Sequence, residues 1–224
     1  MITPLQASVE SEKLCRLAPI IPVLVVDDAS IARPLAEALV AGGLPVLEVT
    51  LRTEAALDVI REMAKVEGGV VGAGTLLTPD DVQNAVHAGA RFGVSPGATD
   101  RLLDACEAAG LPLLPGAATA SEAMALLERG YTVQKFFPAE ANGGAPALKA
   151  IGAPIPQVRF CPTGGVSLTE HRPEILHRME QDTRQYLAEN RVVFAEVAAA
   201  LTELRGFADA QNAPSTPWDA PGAD

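Results

Sequence analysis

The chain is poor in the residue types that mark several common classes of protein. Aromatic residues make up only 4% of its 224 residues, and 28 acidic residues against 17 basic ones give a net charge of −11. Nucleic-acid-binding proteins usually carry a basic footprint and aromatic side chains that stack on bases, so we expect no nucleic-acid partner. The same acidity argues against an anionic membrane surface.

Long apolar runs, histidine clusters and paired cysteines are also missing. Pro19 and Pro22 interrupt the most apolar stretch, which falls short of the roughly 18 residues of a membrane helix. No basic residue precedes Lys13, so the start of the chain does not resemble a signal peptide. The three cysteines form no CxxC pair, and the three histidines form no metal-ligand pattern. We therefore expect a cytoplasmic protein without a metal site or a disulfide framework.

The residues that are present are typical of a globular α/β domain. In the first 165 residues, runs rich in aliphatic and β-branched side chains alternate with amphipathic stretches of helical spacing. The predicted strands are 20–26, 45–52, 70–76, 92–96, 112–116, 132–138 and 157–163, and the predicted helices are 30–42, 53–65, 79–89, 99–109, 120–129 and 144–151. Residues predicted to begin helices are Ser30, Thr53 and Thr78, and those predicted to end them are Gly89, Gly110 and Gly130.

Nearly continuous apolar strands separated by helices predict parallel strands that are buried on both faces. The repeat of roughly 20–25 residues favours a (β/α)8 TIM barrel over an open doubly wound sheet. No GxGxxG motif follows the first predicted strand, which weakens the alternative of a dinucleotide-binding fold.

The composition changes after Val166. Residues 170–207 are rich in Glu, Arg, Leu and Ala, with apolar residues three, four or seven positions apart, which predicts one long amphipathic helix or two consecutive ones. The alternative is that 191–197 forms a strand that closes the barrel. The predicted organisation is a barrel domain over 1–168, a helical segment over 169–207 and a disordered tail over 208–224.

Polar residues within a predicted buried strand are the first candidates for a site. Glu48, Thr50 and Arg52 lie at i, i+2 and i+4, so they share one face of the strand, which is the interior face in a barrel. Active sites of such barrels form at the carboxyl ends of the strands. Because an isolated buried charge is costly, these residues form either a structural ion pair or a ligand site, and the spacing does not distinguish the two.

Lys135 is the stronger candidate. It is one of four lysines beside thirteen arginines, and it lies among apolar residues in the predicted strand VQKFFP. Apolar surroundings disfavour the charged ammonium, and a neutral amine can attack a ketone to form a Schiff base that acts as an electron sink. The alternative is a lysine that extends its charged end to solvent. A carboxylate in the same barrel mouth favours catalysis, because C–C cleavage beside a carbonyl needs a nucleophilic amine and a general base.

Two glycine-containing segments end predicted strands. Gly72 and Gly74, where the backbone could approach a ligand closely, precede Thr75. The Thr-Gly-Gly segment at 163–165 follows the seventh predicted strand, where many barrels begin a phosphate site. Glycines also form ordinary turns, so both segments are weak evidence by themselves. Cys161 is interpreted as a small core residue.

Five segments closely resemble one known family, the 2-keto-3-deoxy-6-phosphogluconate (KDPG) aldolases, which often also have 4-hydroxy-2-oxoglutarate (KHG) aldolase activity. The segments are LEVTLRT (47–53), VVGAGTLL (70–77), GVSPG (93–97), KFFPAEANGG (135–144) and VRFCPTGGVS (158–167). The resemblance covers about residues 13–167. It implies a cytoplasmic, homotrimeric (β/α)8 barrel and a class I aldolase that needs no metal or other cofactor. It also implies a small-molecule substrate, KDPG, cleaved to pyruvate and glyceraldehyde 3-phosphate, and possible cleavage of KHG to pyruvate and glyoxylate.

The resemblance also assigns roles to individual residues. Lys135 resembles the Schiff-base lysine, and Glu48 the general acid/base that moves protons through a water. Arg52 resembles the residue that binds the substrate carboxylate, helped by Thr75. The residues that resemble the walls of the pyruvyl pocket are Pro96 and Phe137, and those that resemble the start of the phosphate site are Thr163, Gly164 and Gly165.

The chain departs from the family after Val166. The family continues to an eighth strand that ends in a Gly-Gly-Ser-Trp type motif and completes the phosphate site, and this sequence has no such motif. RVVFAEV (191–197) lies roughly where that motif is expected, but Glu196 would repel a phosphate. The barrel is therefore predicted to lack its usual eighth strand or to be closed by a foreign segment, since an open edge needs cover. Pyruvate recognition is expected to survive better than recognition of the phosphate.

Two alternatives to a working aldolase stay open at this point. One is a catalytically impaired aldolase-like barrel with an incomplete phosphate site. The other is a different barrel enzyme that acts on a phosphosugar, such as an epimerase or isomerase. Such enzymes commonly use paired carboxylates or histidines, and the predicted core offers neither an obvious pair nor a well-placed histidine.

Overall fold

The computed structural model describes residues 1–18 and 20–165, in which helices alternate with short parallel strands. The strands are β1 (Val23–Leu24), β2 (Val46–Thr50), β3 (Val70–Gly74), β4 (Gly93–Val94), β5 (Leu113–Leu114), β6 (Gly116–Ala117), β7 (Val133–Phe136) and β8 (Arg159–Pro162). The α-helices are α1 (Pro4–Leu17), α2 (Ala32–Ala41), α3 (Ala56–Met63), α4 (Pro79–Ala88), α5 (Asp100–Ala109), α6 (Ala120–Arg129) and α7 (Gly144–Gly152). Short 3-10 helices span Ala29–Ile31 and Glu140–Asn142.

All strand pairs are parallel, and neighbours in sequence are neighbours in space. One sheet has the order β1-β2-β3-β4-β5, and the other has the order β6-β7-β8. The two sheets meet at Pro115, which lies between β5 and β6 and whose carbonyl accepts a hydrogen bond from the backbone N–H of Lys135 at 2.8 Å. Proline lacks the N–H that would continue the ladder on its other side. Strands β5 and β6 are therefore two halves of one strand in a continuous curved wall.

The predicted burial of both strand faces is confirmed, most clearly in β2, where all five residues are buried. Leu47 and Val49 pack in the main apolar cluster together with helix residues such as Ile60. Val46 lies in a second cluster with residues of other strands, including Val94. Successive side chains of a strand point to opposite faces. Leu47 and Val49 therefore pack under the helices, whereas Val46 points to the inside of the barrel wall.

The described strands form seven successive positions of a barrel wall. Strand β1 pairs with β2 at one end of this wall and β8 pairs with β7 at the other. This is the predicted α/β barrel arrangement as far as residue 165. The predictions for an eighth strand, for the helical segment 169–207 and for the tail 208–224 concern residues outside the described ranges.

The helix ends confirm some predicted caps and correct others. Thr78 begins α4 with a capping box. The helices α4, α5 and α6 each end at a glycine with left-handed φ, and these glycines are the predicted Gly89, Gly110 and Gly130. The prediction for Ser30 was wrong, because it lies inside a 3-10 helix that Asp28 caps. The prediction for Thr53 was also wrong, because its hydroxyl donates to the carbonyl of Val26 at 2.7 Å and α3 begins only at Ala56.

Helix α1 was not predicted from the sequence. Of its three buried residues, Ala7, Ser8 and Ser11, two are serines, so the usual apolar spacing is weak. The hydroxyl of Ser8 accepts from the backbone N–H of Thr132 at 2.9 Å, and the hydroxyl of Ser11 donates to the carbonyl of Leu113 at 3.4 Å. Both partners lie at the amino ends of strands. Helix α1 therefore crosses the end of the barrel opposite to the carboxyl ends of the strands.

The described residues contain neither a membrane-spanning helix nor a cluster of metal ligands. Among the described helices, none combines the length and apolar character needed to cross a bilayer. The described residues also contain no group of three or more His, Cys, Asp or Glu side chains that could hold a metal ion.

Candidate active site

Lys135 and Glu48 form the centre of the candidate site. Lys135 lies on β7 and Glu48 on β2, and the lysine Nζ is 3.8 Å from the glutamate Oε1. The two side chains are only 7% and 5% exposed. The structure therefore brings together the two residues that the sequence singled out. It also excludes the alternative in which Lys135 extends its charged end to solvent.

Gly74 provides the space in which the carboxyl group of Glu48 lies. A Cβ atom at Gly74 would be 2.3 Å from Oε1 of Glu48, which is far closer than any real contact. At Gly72, a Cβ atom would be 2.4 Å from the ring of Phe92. The expectation that these glycines admit a ligand to the backbone was therefore wrong, because protein side chains fill the space above both.

Burial raises the pKa of Glu48, and the nearby charges of Lys135 and Arg52 only partly oppose this effect. A buried carboxylate loses its hydration, which favours the protonated form. The result is a carboxyl group that can exchange a proton closer to neutral pH than an exposed glutamate can.

The ring of Phe137 and the backbone of Pro96 lie near Lys135. Its Nζ lies 4.9 Å from the centre of the Phe137 ring. On the neighbouring strand Gly116 pairs with Lys135, and a Cβ atom at Gly116 would be 2.2 Å from the carbonyl oxygen of Pro96. Gly116 thus lets the backbone of Pro96 approach the strand beside the lysine. This role of Gly116 was not predicted from the sequence, although a glycine within a buried strand often marks a place where another backbone segment approaches closely.

Arg52 and Thr75 lie together near the mouth of the barrel. The Nε of Arg52 donates to the hydroxyl of Thr75 at 3.4 Å. Thr75 follows the last residue of β3 and has φ 62°, the only positive φ among the described non-glycine residues. Such a backbone costs of order 1–3 kcal/mol and is typical of functional sites. Both side chains can donate hydrogen bonds to an anionic ligand.

The segment Thr163–Gly165 follows β8 and lies along the loop after β7. The carbonyl groups of Thr163 and Gly164 accept from the N–H groups of Ala139 and Glu140 at 2.8 and 3.0 Å. Gly164 and Gly165 have φ 97° and 72°, so the chain turns through two left-handed residues. A Cβ atom at Gly164 would be 3.3 Å from the Phe137 ring, so this segment is close to the wall of the lysine site.

Cys161 was predicted to be a small core residue, and the structure places it at the edge of the core. It packs against the apolar cluster inside the barrel but is only half-buried, and its side chain contacts Cys15 of α1. On β8 it pairs with Lys135.

Comparison with known proteins agrees with this geometry. The model of the KDPG and KHG aldolase family matches residues 11–180. The chain belongs to this family. The KHG/KDPG aldolase of Escherichia coli K12 is 52% identical over 163 residues, which are 72% of this chain and 76% of the relative. The 2-dehydro-3-deoxy-phosphogluconate aldolase of Pseudoalteromonas atlantica is 51% identical over 164 residues, 73% of this chain and 76% of the relative.

Solved structures of KDPG aldolases share the fold. The Zymomonas mobilis ZM4 enzyme, determined with 3-phosphoglycerate, matches with a TM-score of 0.71 and 50% identity over 75% of this chain and 80% of its own. The Legionella pneumophila enzyme, in which pyruvate was captured at low pH as a covalent carbinolamine intermediate, matches with a TM-score of 0.69 and 41% identity over 78% and 95%. The predicted family, fold class and aldolase activity are thereby confirmed.

Proposed function

We propose that this aldolase cleaves KDPG to pyruvate and glyceraldehyde 3-phosphate through a Schiff base on Lys135. The observation that carries the proposal is the buried pair of Lys135 and Glu48, with 3.8 Å between Nζ and Oε1. An amine can form a covalent imine with a ketone, and a carboxyl group beside it can move the protons that the reaction requires.

The first step needs a neutral amine. A proton that passes from Lys135 to Glu48 leaves a nucleophilic amine and a protonated carboxyl group, and the raised pKa of Glu48 favours this transfer. The amine adds to the C2 ketone of the substrate to give a carbinolamine. The protonated Glu48 then supplies the proton with which the hydroxyl group leaves as water, and the iminium forms.

The second step breaks the C3–C4 bond. Glu48, again deprotonated, takes the proton of the C4 hydroxyl, directly or through a water. The electron pair left on the C4 oxygen forms the C=O bond of glyceraldehyde 3-phosphate. The electrons of the broken C3–C4 bond move into the iminium to give an enamine. Protonation at C3 and hydrolysis then release pyruvate and return the Lys135 amine.

Arg52 and Thr75 bind the carboxylate of the 2-oxo acid. The guanidinium contributes a charge-assisted hydrogen bond, and the threonine hydroxyl, 3.4 Å from Nε of Arg52, contributes a second donor. Pro96 and Phe137 form the walls around the pyruvyl group. The position of the Phe137 ring, 4.9 Å from Nζ, supports this assignment.

Thr163, Gly164 and Gly165 bind the phosphate or the distal oxygens of the substrate. Backbone N–H groups in successive glycines can form a concave site for an anion. Since the sequence after residue 165 contains no Gly-Gly-Ser-Trp type motif, we expect weaker recognition of the phosphate than of the pyruvyl half. KHG has no phosphate and would yield pyruvate and glyoxylate, and we propose it as a second substrate for the same lysine.

Borohydride trapping with pyruvate tests the proposal. The reagent reduces the imine to a stable secondary amine, and peptide mass mapping locates it. We expect the label on Lys135, loss of the label in Lys135→Ala, and normal labelling in Lys149→Ala, which removes an exposed lysine on α7. A folded wild-type protein that acquires no label on Lys135 would exclude the Schiff-base mechanism.

The missing phosphate motif favours a second candidate function, an aldolase-like barrel with impaired turnover. Coupling pyruvate release to a lactate dehydrogenase distinguishes the two. Efficient trapping together with rapid KDPG cleavage supports the working aldolase. Efficient trapping with negligible cleavage of KDPG and KHG supports the impaired form.

We also propose that the protein acts in the cytoplasm as a homotrimer without a metal or other cofactor, as the family resemblance implies. Light scattering after size-exclusion chromatography tests the trimer. Activity that persists after dialysis against a chelator tests independence from metal.

A further inference from the structure

Two of the three cysteines lie against each other beneath the lysine site. Cys15 is on α1 and Cys161 is on β8, and their side chains are close enough for each thiol to shift the pKa of the other. Both residues are half-buried, whereas Cys106 is buried. The mechanism proposed above uses neither Cys15 nor Cys161.

Other contacts fix α1 against this part of the barrel. Glu12 lies one helical turn before Cys15, and its carboxylate forms an ion pair with Arg159. Arg159 lies two residues before Cys161, on the same face of β8. The hydroxyl of Ser8, one turn before Glu12 in α1, accepts from the N–H of Thr132 just before β7. The closeness of the two cysteines is therefore a consequence of how the helix packs.

The two thiols differ in chemistry. The neighbouring thiol of Cys161 lowers the pKa of Cys15 to about 7, while burial and Glu12 act in the opposite direction. The same contact and burial keep the pKa of Cys161 well above its usual range. Burial raises the pKa of Cys106 to about 12. Because the thiolate is the nucleophile, Cys15 is the cysteine that should react first, and Cys161 is placed to react with its product.

We propose that Cys15 and Cys161 form a reversible intramolecular disulfide when the protein meets a hydroperoxide. The Cys15 thiolate attacks one peroxide oxygen, the O–O bond breaks and an alcohol, or water from hydrogen peroxide, leaves. This step oxidises Cys15 to a sulfenic acid and reduces the peroxide. The Cys161 sulfur then attacks the Cys15 sulfur and expels hydroxide, which takes the Cys161 proton and leaves as water. The new bond links α1 to the strand beside Lys135.

Mass spectrometry of the full chain tests the site without reference to aldolase activity. The reduced protein is treated with hydrogen peroxide, quenched with N-ethylmaleimide and digested with trypsin without reductant. The cleavage sites place Cys15 in peptide 14–16, Cys161 in 160–178 and Cys106 in 102–129. We expect peptide 14–16 linked to 160–178 as the main disulfide, its loss after dithiothreitol, and no disulfide that contains 102–129.

Single variants separate the two roles. Cys161→Ser should abolish the link and leave Cys15 as a sulfenic acid that dimedone traps, whereas Cys15→Ser should leave Cys161 as a free thiol. Cys106→Ala serves as the control and should form the link at the wild-type rate. Absence of the link in protein with native circular dichroism would overturn the proposal. So would a link between two copies of peptide 14–16, or a Cys161→Ser variant in which Cys15 stays unoxidised.

Discussion

Gly74 and Glu48 are in such close contact that a single added methyl group would displace the Glu48 carboxyl group from its present position beside Lys135. A Cβ atom at Gly74 would lie 2.3 Å from Oε1 of Glu48 and 2.8 Å from its Cγ. The carboxyl group could avoid the clash only by moving, and Lys135 lies 3.8 Å away in the present arrangement. The lack of a side chain at Gly74 therefore determines where the Glu48 carboxyl group lies relative to the Lys135 amine.

The Gly74→Ala variant should therefore lose activity while it stays folded. A misplacement of about 1 Å in a catalytic group can cost about a hundredfold in rate, and we expect a loss of this order in kcat. The matched control is Gly97→Ala, where an added Cβ atom meets nothing within 4 Å. Steady-state kinetics and Tm should be measured for both. Wild-type kcat in folded Gly74→Ala would mean that Glu48 does not need its present position.

Replacement of Glu48 by Gln should separate adduct formation from turnover. The amide keeps the shape of the side chain but cannot move protons, and positioned acid/base catalysis is worth about 10²–10⁴ in rate. We expect kcat to fall within this range. Because Glu48 also assists imine formation, the pyruvate adduct on Lys135 should form more slowly, but borohydride should still trap much of it after long incubation. Equal losses in trapping and in turnover would instead assign Glu48 to the formation of the imine alone.

The pH dependence of cleavage should reflect the burial of Glu48. The base that deprotonates the C4 hydroxyl must itself be deprotonated, so activity should fall as pH falls through the pKa of Glu48. Because burial raises that pKa above 4.5, the acidic limb of kcat/KM should lie above pH 4.5. Glu48→Gln should lack this limb. If the wild type and Glu48→Gln showed the acidic limb at the same pH, the limb would have to arise from a group other than Glu48.

The Gly165→Ala variant should discriminate between substrates with and without a phosphate. Gly165 has φ 72°, and an added Cβ atom would lie 2.9 Å from Cβ of Glu140, so the loop must shift. We expect KM for KDPG to rise about tenfold, as for the loss of one charge-assisted hydrogen bond, with a much smaller change for KHG. Parallel KM measurements check this. Equal increases for both substrates would place the loop outside the phosphate site.

The Ser8→Ala variant should destabilise the protein through α1. The Ser8 side chain accepts the N–H of Thr132 at 2.9 Å, and its removal leaves a partly buried donor without this partner. Such a loss costs about 1–3 kcal/mol in the free energy of unfolding. Urea denaturation measures it, with the exposed Ser121→Ala on α6 as control. A change below that of the control would show that water replaces the lost acceptor at no cost.

Much of the barrel follows from local sequence signals. Thr78 and Gly89 enclose α4 because a threonine can cap the first N–H groups of a helix and a glycine can adopt left-handed φ at its end. The meeting of Glu48 and Lys135 could also be predicted, because both lie on interior faces near the carboxyl ends of parallel strands.

The remaining features depend on contacts between distant parts of the chain. Helix α1 was not predicted because Ser8 and Ser11 face inward. Their burial is explained by hydrogen bonds to the backbone of residues 132 and 113, which are distant in sequence. The role of Gly74 was also misjudged, since the side chain that fills its space comes from β2. Spacing along one segment carries no information on which group will occupy the space beside it.

The anchoring of the first residues also decides which side of the molecule a fused segment would occupy. The N–H of Ile2 donates to the carbonyl of Glu107 at 2.8 Å near the end of α5, and α1 then crosses the amino ends of the strands. A purification tag placed before Met1 would therefore emerge on the far side from the substrate entrance. Attachment to a sensor surface through such a tag would leave that entrance open to solution.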